Sequence, residues 1–186
     1  ARQGAASSPP PRPGPDFVCA DLSALPLAPA SISGALAGEV LEHLPDDAAA
    51  AREICRVLAP GGTLAASVPA GPARWSPVDT AVGHQRRYDR AGLARALQAG
   101  GFAPVALRGW GMPFGRLYDR LVLRPALAAR HGHARGPLAR LGRARLVHRL
   151  WHALFRFDER FDAGERGSGW WAIARRPQTS GAHHTQ

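Results

Sequence analysis

The chain has 186 residues, a length that suits one domain and can bury a sizeable core. Hydrophobic residues make up 45% and charged residues 20%, the balance of an ordinary soluble globular body rather than of a disordered chain. The net charge is +10 and every basic residue is arginine, which favours anionic partners such as RNA, acidic lipid or a phosphorylated substrate.

Arginine without lysine, among abundant Ala, Gly and Pro, is also what compositional bias produces, so charge alone does not argue nucleic acid. The two cysteines, Cys19 and Cys55, form no metal or redox spacing and both lie in apolar runs, where a free thiol behaves as a small hydrophobe. Nothing demands an oxidising compartment. No apolar run approaches the roughly 20 residues that span a bilayer. The N-terminus is polar and proline-rich, unlike a signal peptide, and a cytoplasmic setting is expected.

In chain order, residues 1–15 are Ala, Ser, Pro and Gly without a periodic apolar face, which predicts a disordered tail. Phe17-Val18-Cys19-Ala20 reads as a short strand ending at Asp21, and 22–29 as a loop with two prolines. A second strand is predicted over Ile32–Ala37. Pro45-Asp46-Asp47 starts a helix reaching Leu58, with Ala50, Ile54, Val57 and Leu58 on its apolar face. Ala59-Pro60-Gly61-Gly62 is a breaker, and 63–69 a buried strand. Residues 70–83 read as irregular. Asp89 and Arg90 lead into a helix to Ala99, ended by Gly100-Gly101. A strand is predicted from Val105, then a glycine-punctuated loop and a basic helical stretch over 116–160. Trp170–Ala174 is a last strand, and 177–186 a loose tail. This alternation predicts an α/β fold with a parallel sheet and helices on its faces.

The densest cluster of chemistry is Gly38-Glu39-Val40-Leu41-Glu42-His43-Leu44-Pro45. Glu39, Glu42 and His43 stand at i, i+3 and i+4, one face of a helical turn. A strand ends just before them, and open α/β sheets bind ligands at the carboxyl ends of their strands. Two carboxylates and an imidazole can ligate a divalent ion; acids near a positive helix end are the plainer reading.

The segments Asp21-Leu22, Leu25-Pro26-Leu27, Glu39–Leu44 and Ile54-Cys55-Arg56-Val57-Leu58-Ala59-Pro60-Gly61-Gly62 together resemble class I S-adenosylmethionine-dependent methyltransferases, in the branch of quinone-pathway, small-molecule and lipid enzymes. The resemblance covers roughly 16–102, with a last strand at 170–175, inside a domain of 16–176. It implies a Rossmann-like sheet and S-adenosylmethionine as methyl donor. Asp21 would contact the adenine amino group, the Leu22 amide the ring edge, and Glu39 the methionine end. One departure stands out. The family's glycine-rich loop after its first strand has no counterpart, since only Gly4 and Gly14 precede Asp21. The first two strands of the family are therefore expected to be missing. A C-terminal fragment, or a pocket completed by a partner chain, follows as an expectation, with the edge of a central apolar strand exposed.

Some relatives bind Mg2+ or Mn2+ on a Glu-x-x-Glu-His turn, which would make Glu39, Glu42, His43 and the later His84 a metal set. Metal-free relatives carry the same turn, and there the histidine is a base or a surface residue. His43 and His84 are the candidate catalytic bases. Arg86 and Arg87 could clamp an anionic substrate group or be solvated, while Tyr88 is expected to pack on the sheet with Leu93 and Leu97. The insert at about 114–167 should emerge over the substrate side as a lid. In its last segment Arg145, Arg149, His152, Arg156 and Arg160 share one face, opposite Val147, Leu150, Trp151, Leu154 and Phe155. Such a helix suits either a lid or an anionic membrane surface.

Three functions follow as expectations. The first is methylation, at oxygen, of a small-molecule, quinone-like or lipid-linked acceptor. The second is an inactive remnant serving as a basic binding or membrane-surface module. The third is metal-dependent RNA 2′-O-methylation, although no RNA-binding module is recognisable.

Overall fold

A computed structural model describes residues 15–103, 106–123 and 145–178. Nearly all of the expected tails at 1–15 and 177–186, and residues 124–144 of the expected helical stretch at 116–160, lie outside the described residues.

Four strands form one sheet in the order β1-β2-β4-β3. Strand β1 is Ile32–Gly38, β2 is Leu58–Pro69, β3 is Ala106–Trp110 and β4 is Gly169–Arg175. β1 and β2 are parallel; β4 runs antiparallel to both β2 and β3. The resemblance implies this antiparallel closing pair. Gly38 pairs with Ser67, Pro69 with Gly169, and Trp110 with Gly169. The carboxyl ends of β1, β2 and β3 therefore share one edge, where β4 begins.

Helix α1, Asp47–Val57, forms where Pro45-Asp46 placed it. The Asp46 carboxylate caps it by accepting the Ala49 amide at 2.8 Å. Helix α3, Arg90–Ala99, is capped in the same way by Asp89 onto Gly92. Ala50, Ile54, Leu93 and Leu97 join one core with Leu64, Val68, Trp170 and Ala172. Burial alternates along β4, with Trp170, Ala172 and Ala174 inside. The apolar run at Ala59–Gly62 breaks the helix as expected, but not the strand. β2 begins at Leu58, and these residues bulge out between the Ile32–Leu58 and Gly34–Thr63 pairs. Gly61 holds φ 77° there, and a Cβ on Gly62 would sit 2.7 Å from the Ala59 carbonyl, so the bulge requires both glycines.

Three expectations change. Phe17–Ala20 is not a strand, and Phe17 and Val18 are 92% and 67% exposed. Among the described residues no neighbouring strand offers them a hydrogen-bond ladder. Cys19 is likewise exposed instead of buried in an apolar run; Cys55 is half-buried. The stretch after β2 is not wholly irregular: Ser76 starts a short helix, α2, Pro77–Ala81.

Among the described residues, helices cover one sheet face only, where both faces were expected to be covered. On the other face Leu36, Trp171 and Ile173 are 77%, 44% and 45% exposed. Among the described residues β1 is an edge strand, paired only with β2. Leu36→Lys is expected to reduce concentration-dependent light scattering, because charge on an edge strand opposes edge-to-edge pairing. Its effect on thermal stability should stay within about 0.5 kcal/mol, as for other exposed sites.

The insert leaves β3 through α4, Phe114–Tyr118, and a π-helical turn, Asp119–Leu123. It returns through α5, Arg145–Asp158. The two arms meet through Tyr118, whose ring lies edge-on to Trp151 and Phe155. Asp158 is buried and accepts the Phe114 and Gly115 amides, which ties the arms together near β3. No described helix is long and apolar enough to cross a membrane.

Candidate functional site

The acidic turn lies at the carboxyl edge of the sheet, but Glu39 leaves the shared face. Its φ is 54°, left-handed and unfavourable for a residue with a Cβ. Only Leu41–His43 form a 3-10 turn. Glu39 is fastened to β2 instead: its amide donates to the Ser67 carbonyl at 2.9 Å, and its carboxylate accepts the Ser67 hydroxyl at 2.8 Å.

Glu42 points inward. It is fully buried, and neither carboxylate oxygen has a hydrogen-bond partner. Burial raises its pKa from 4.5 to about 7; the Glu39 charge adds to the rise, while the dipole of its own backbone amide and the nearby His43 oppose it. Two imidazoles face this carboxylate. His43 Nε2 lies 3.9 Å and His84 Nε2 4.0 Å from Glu42 Oε1. The rings meet edge-on, with centroids 4.8 Å apart. His84 arrives from a distant loop because the Gln85 amide donates to the Glu42 carbonyl at 2.7 Å.

The far sides of the two rings fix their tautomers. His43 Nδ1 is 3.2 Å from the Gly83 carbonyl, and His84 Nδ1 is 2.8 Å from Asp79 Oδ1. Carbonyl and carboxylate oxygens only accept, so Nδ1 carries the proton in both rings. In the neutral rings each Nε2 keeps its lone pair, on the Glu42 side. That is the form in which an imidazole accepts a proton or ligates a metal.

Asp79, fully buried, organises this arm. Oδ1 accepts from His84 Nδ1 and Arg87 Nε; Oδ2 accepts from the Ser76 amide and hydroxyl. Burial alone would raise its pKa, but the bonds from Arg87, His84 and Ser76 outweigh it and lower the pKa from 3.8 to about 2. The sequence reading passed over Asp79. The available signal was Ser76-Pro77-Val78-Asp79, which has the spacing of a helix capping box with proline at the first helical position.

Arg86 and Arg87 are not left over as a clamp. Arg86 pairs with Asp47 at 2.9 Å and donates to the Leu44 and Pro45 carbonyls. Arg87 donates to Asp79 and to the Ala70 carbonyl. An anionic substrate would have to compete with these bonds. Tyr88 packs in the core as expected, and its hydroxyl donates to Asp47.

Asp21 sits in a turn, where Oδ1 accepts the amide and hydroxyl of Ser23 at 2.8 and 2.7 Å. These bonds lower its pKa. Leu22 packs against the core. The loop that follows is strapped to α1: the Leu25 amide donates to Glu53, and Arg56 donates to the Leu25 and Leu27 carbonyls.

Glu42, His43 and His84 each offer one ligand atom, all within 4.8 Å of one another, and could hold a metal ion. Glu39, expected as a fourth ligand, is outside this group because its carboxylate is turned to Ser67.

Residues 1–66 match the family model described as a methyltransferase domain. This span contains Asp21, Leu22, Glu39, Glu42 and His43. Solved structures repeat the likeness over the described fold. The (4+2)-cyclase SpnF is 25% identical with a TM-score of 0.54; the match covers 88% of this chain and 57% of that one. The chain is thus similar to class I methyltransferases, in sequence over its first third and in fold over its described residues. A SAM-dependent methyltransferase from Thermotoga maritima shares the fold at 13% identity and a TM-score of 0.51, covering 84% and 62% of the two chains. A geranyl diphosphate methyltransferase bound to SAM does so at 16% and 0.52, covering 84% and 56%. The methyltransferase-like chain thus spans about three fifths of the length of these solved chains. No curated protein sequence matches it.

Proposed function

We propose that this methyltransferase domain transfers a methyl group from S-adenosylmethionine to an oxygen of a small-molecule, quinone-like or lipid-linked acceptor. The observation that carries the reading is the paired imidazole arrangement: two Nε2 lone pairs held beside a buried, unpaired carboxylate at the carboxyl edge of the sheet. The residues present suit the donor in part. Asp21 keeps acceptor capacity for an adenine amino group, and Glu39 and Glu42 give the edge the acidic character that a sulfonium favours. When bound, S-adenosylmethionine supplies an electrophilic methyl group.

The chain's own residues then have a simple task. His84 Nε2 takes the proton of the acceptor hydroxyl, and Asp79 keeps the resulting imidazolium oriented and neutralised. Glu42 and His43 wall the same space, and Glu42 can share the proton because its pKa lies near neutrality. The freed oxygen is held for in-line attack, and positioning provides much of the rate.

The metal set favours a second reading. With a divalent ion on Glu42, His43 and His84, the acceptor hydroxyl would be acidified directly, as metal-dependent 2′-O-methylation of RNA would need. The unpaired Glu42 oxygens suit a hard ion such as Mn2+, and the two available Nε2 atoms extend the set toward borderline divalent ions. The bare sheet face supports a third reading, an inactive remnant that acts as a binding module.

Calorimetry with S-adenosylmethionine, followed by transfer of labelled methyl to catechol and prenylated phenol acceptors, tests these readings. Binding weakened by Asp21→Ala, with turnover reduced about 100-fold or more in His84→Ala at unchanged donor affinity, is the expected result. Turnover that requires Mn2+ selects the metal reading. No donor binding at all selects the remnant and overturns methyl transfer.

A further inference from the structure

Helix α5 carries two parallel stripes with the same spacing. Arg149, Arg156 and Arg160 follow one another at steps of seven and four. Leu150, Phe157 and Phe161 repeat those steps one residue later, which places the apolar stripe about 100° around the helix from the basic one. The turn beyond Asp158 continues the helical path, since the Glu159 amide donates to the Phe155 carbonyl and the Phe161 amide to that of Asp158.

Both stripes are on the outside. Arg149, Arg156 and Arg160 are exposed, and Leu150, Phe157 and Phe161 are 58%, 45% and 52% exposed. The core-facing side is largely a different set: Trp151 and Phe155 meet Tyr118 edge-on, Asp158 is buried against the α4 amides, and Phe157, half-exposed, also touches Phe114 of α4 with ring centroids 6.1 Å apart. The apolar residues therefore divide between an inner seam and an outer ridge. An ordinary lid helix needs only the first. Asp158 is turned inward, which leaves Glu159 as the one acid among the exposed residues of 149–160. Among the described residues none of the three arginines has a carboxylate within ion-pair distance.

We propose that α5 is a membrane-surface anchor: it lies in the headgroup layer of an anionic bilayer, with Leu150, Phe157 and Phe161 entering the acyl boundary and Arg149, Arg156 and Arg160 on lipid phosphates. Charge complementarity selects this occupant. A stripe of arginines beside an apolar ridge matches an interface whose charge lies above its hydrocarbon, and long arginine stems let the guanidinium reach upward while the helix sits lower. A protein groove would cover the ridge but leave the cationic row without a matching reason. A nucleic acid would use the row but leave the ridge in water. The inference does not depend on methyl transfer, and its test reads no turnover.

Flotation of the full chain with vesicles of phosphatidylcholine, and of phosphatidylcholine mixed with phosphatidylglycerol, tests the anchor. Binding is expected only to the anionic vesicles and should fall with added salt. Arg149→Gln and Arg156→Gln should each weaken it about fivefold, the effect of removing one basic side chain at a membrane surface. Leu150→Ser with Phe161→Ser should lower partitioning to anionic vesicles while thermal unfolding stays unchanged. Equal binding to neutral vesicles, indifference to all four substitutions, or absence of vesicle binding would overturn the anchor. So would arginine-dependent capture of a single-stranded RNA probe by a chain that ignores vesicles.

Discussion

Asp79→Ala is expected to destabilise the protein by about 3–5 kcal/mol, the cost of removing one partner from a buried ionic group. For a chain of this length that corresponds to a melting temperature lower by roughly 10 °C or more. The reason is the number of groups that would lose a partner together. Arg87 would keep a largely buried charge with only the Ala70 carbonyl, His84 Nδ1 would lose its acceptor, and the α2 cap at Ser76 would open. Asp79→Asn should cost less, because the amide oxygen can still accept. It should also disturb the His84 tautomer, which nitrogen chemical shifts of the imidazole report directly. The acid limb of stability carries the same residue. The Asp79 pKa is lowered from 3.8 to about 2, so its contribution is present above pH 3.8 and is lost as pH falls through about 2. The Asp79→Asn variant should lack this limb. A variant as stable as the parent, with an unchanged imidazole spectrum, would remove Asp79 from the account of the site.

Glu42→Gln should do the opposite and stabilise the protein at mildly alkaline pH. The folded-state pKa of Glu42 is raised from 4.5 to about 7, so the folded protein holds a proton that the unfolded chain has released. The sign follows from linkage: stability due to this group is fully present below pH 4.5, declines between 4.5 and 7, and is lost above about 7. A rise of that size corresponds to about 3 kcal/mol. Glutamine removes the titration and the penalty, so denaturant unfolding at alkaline pH should show a gain of that order and a flatter pH dependence. The same change should impair function, since an uncharged amide cannot share a proton with His84 or neutralise a cation. A divalent ion on Glu42, His43 and His84 would bind the deprotonated carboxylate in the folded state and so remove the decline above pH 4.5, and unfolding curves with and without Mn2+ therefore separate the metal-bound and metal-free readings.

These two residues have opposite standing in the sequence. Glu42 was legible, because Glu39-Val40-Leu41-Glu42-His43 follows an apolar strand and announces chemistry by spacing alone. Asp79 was not. It stands in a stretch of Gly, Pro and Trp without periodicity, and its importance arises from Ser76, His84 and Arg87 converging on one carboxylate. Glu39 shows the reverse error. Helical spacing placed it with Glu42, but the backbone turns left-handed there and Ser67 on β2 captures its side chain. Periodicity describes a continuous helix and cannot show where the chain leaves it.

The sequence by itself determined the elements whose causes are local. Asp46 and Asp89 cap α1 and α3, diglycine pairs end or bulge the segments around them, and alternation along β4 selects its buried face. Those effects act over a few residues and need no partner. Tertiary structure decided the rest: that Phe17–Ala20 is no strand, that helices cover one sheet face only among the described residues, and that two histidines forty-one positions apart meet over a buried acid. Each of these depends on a ladder, a covering layer or a hydrogen-bond acceptor contributed by a distant segment, and no local window of the chain contains that information.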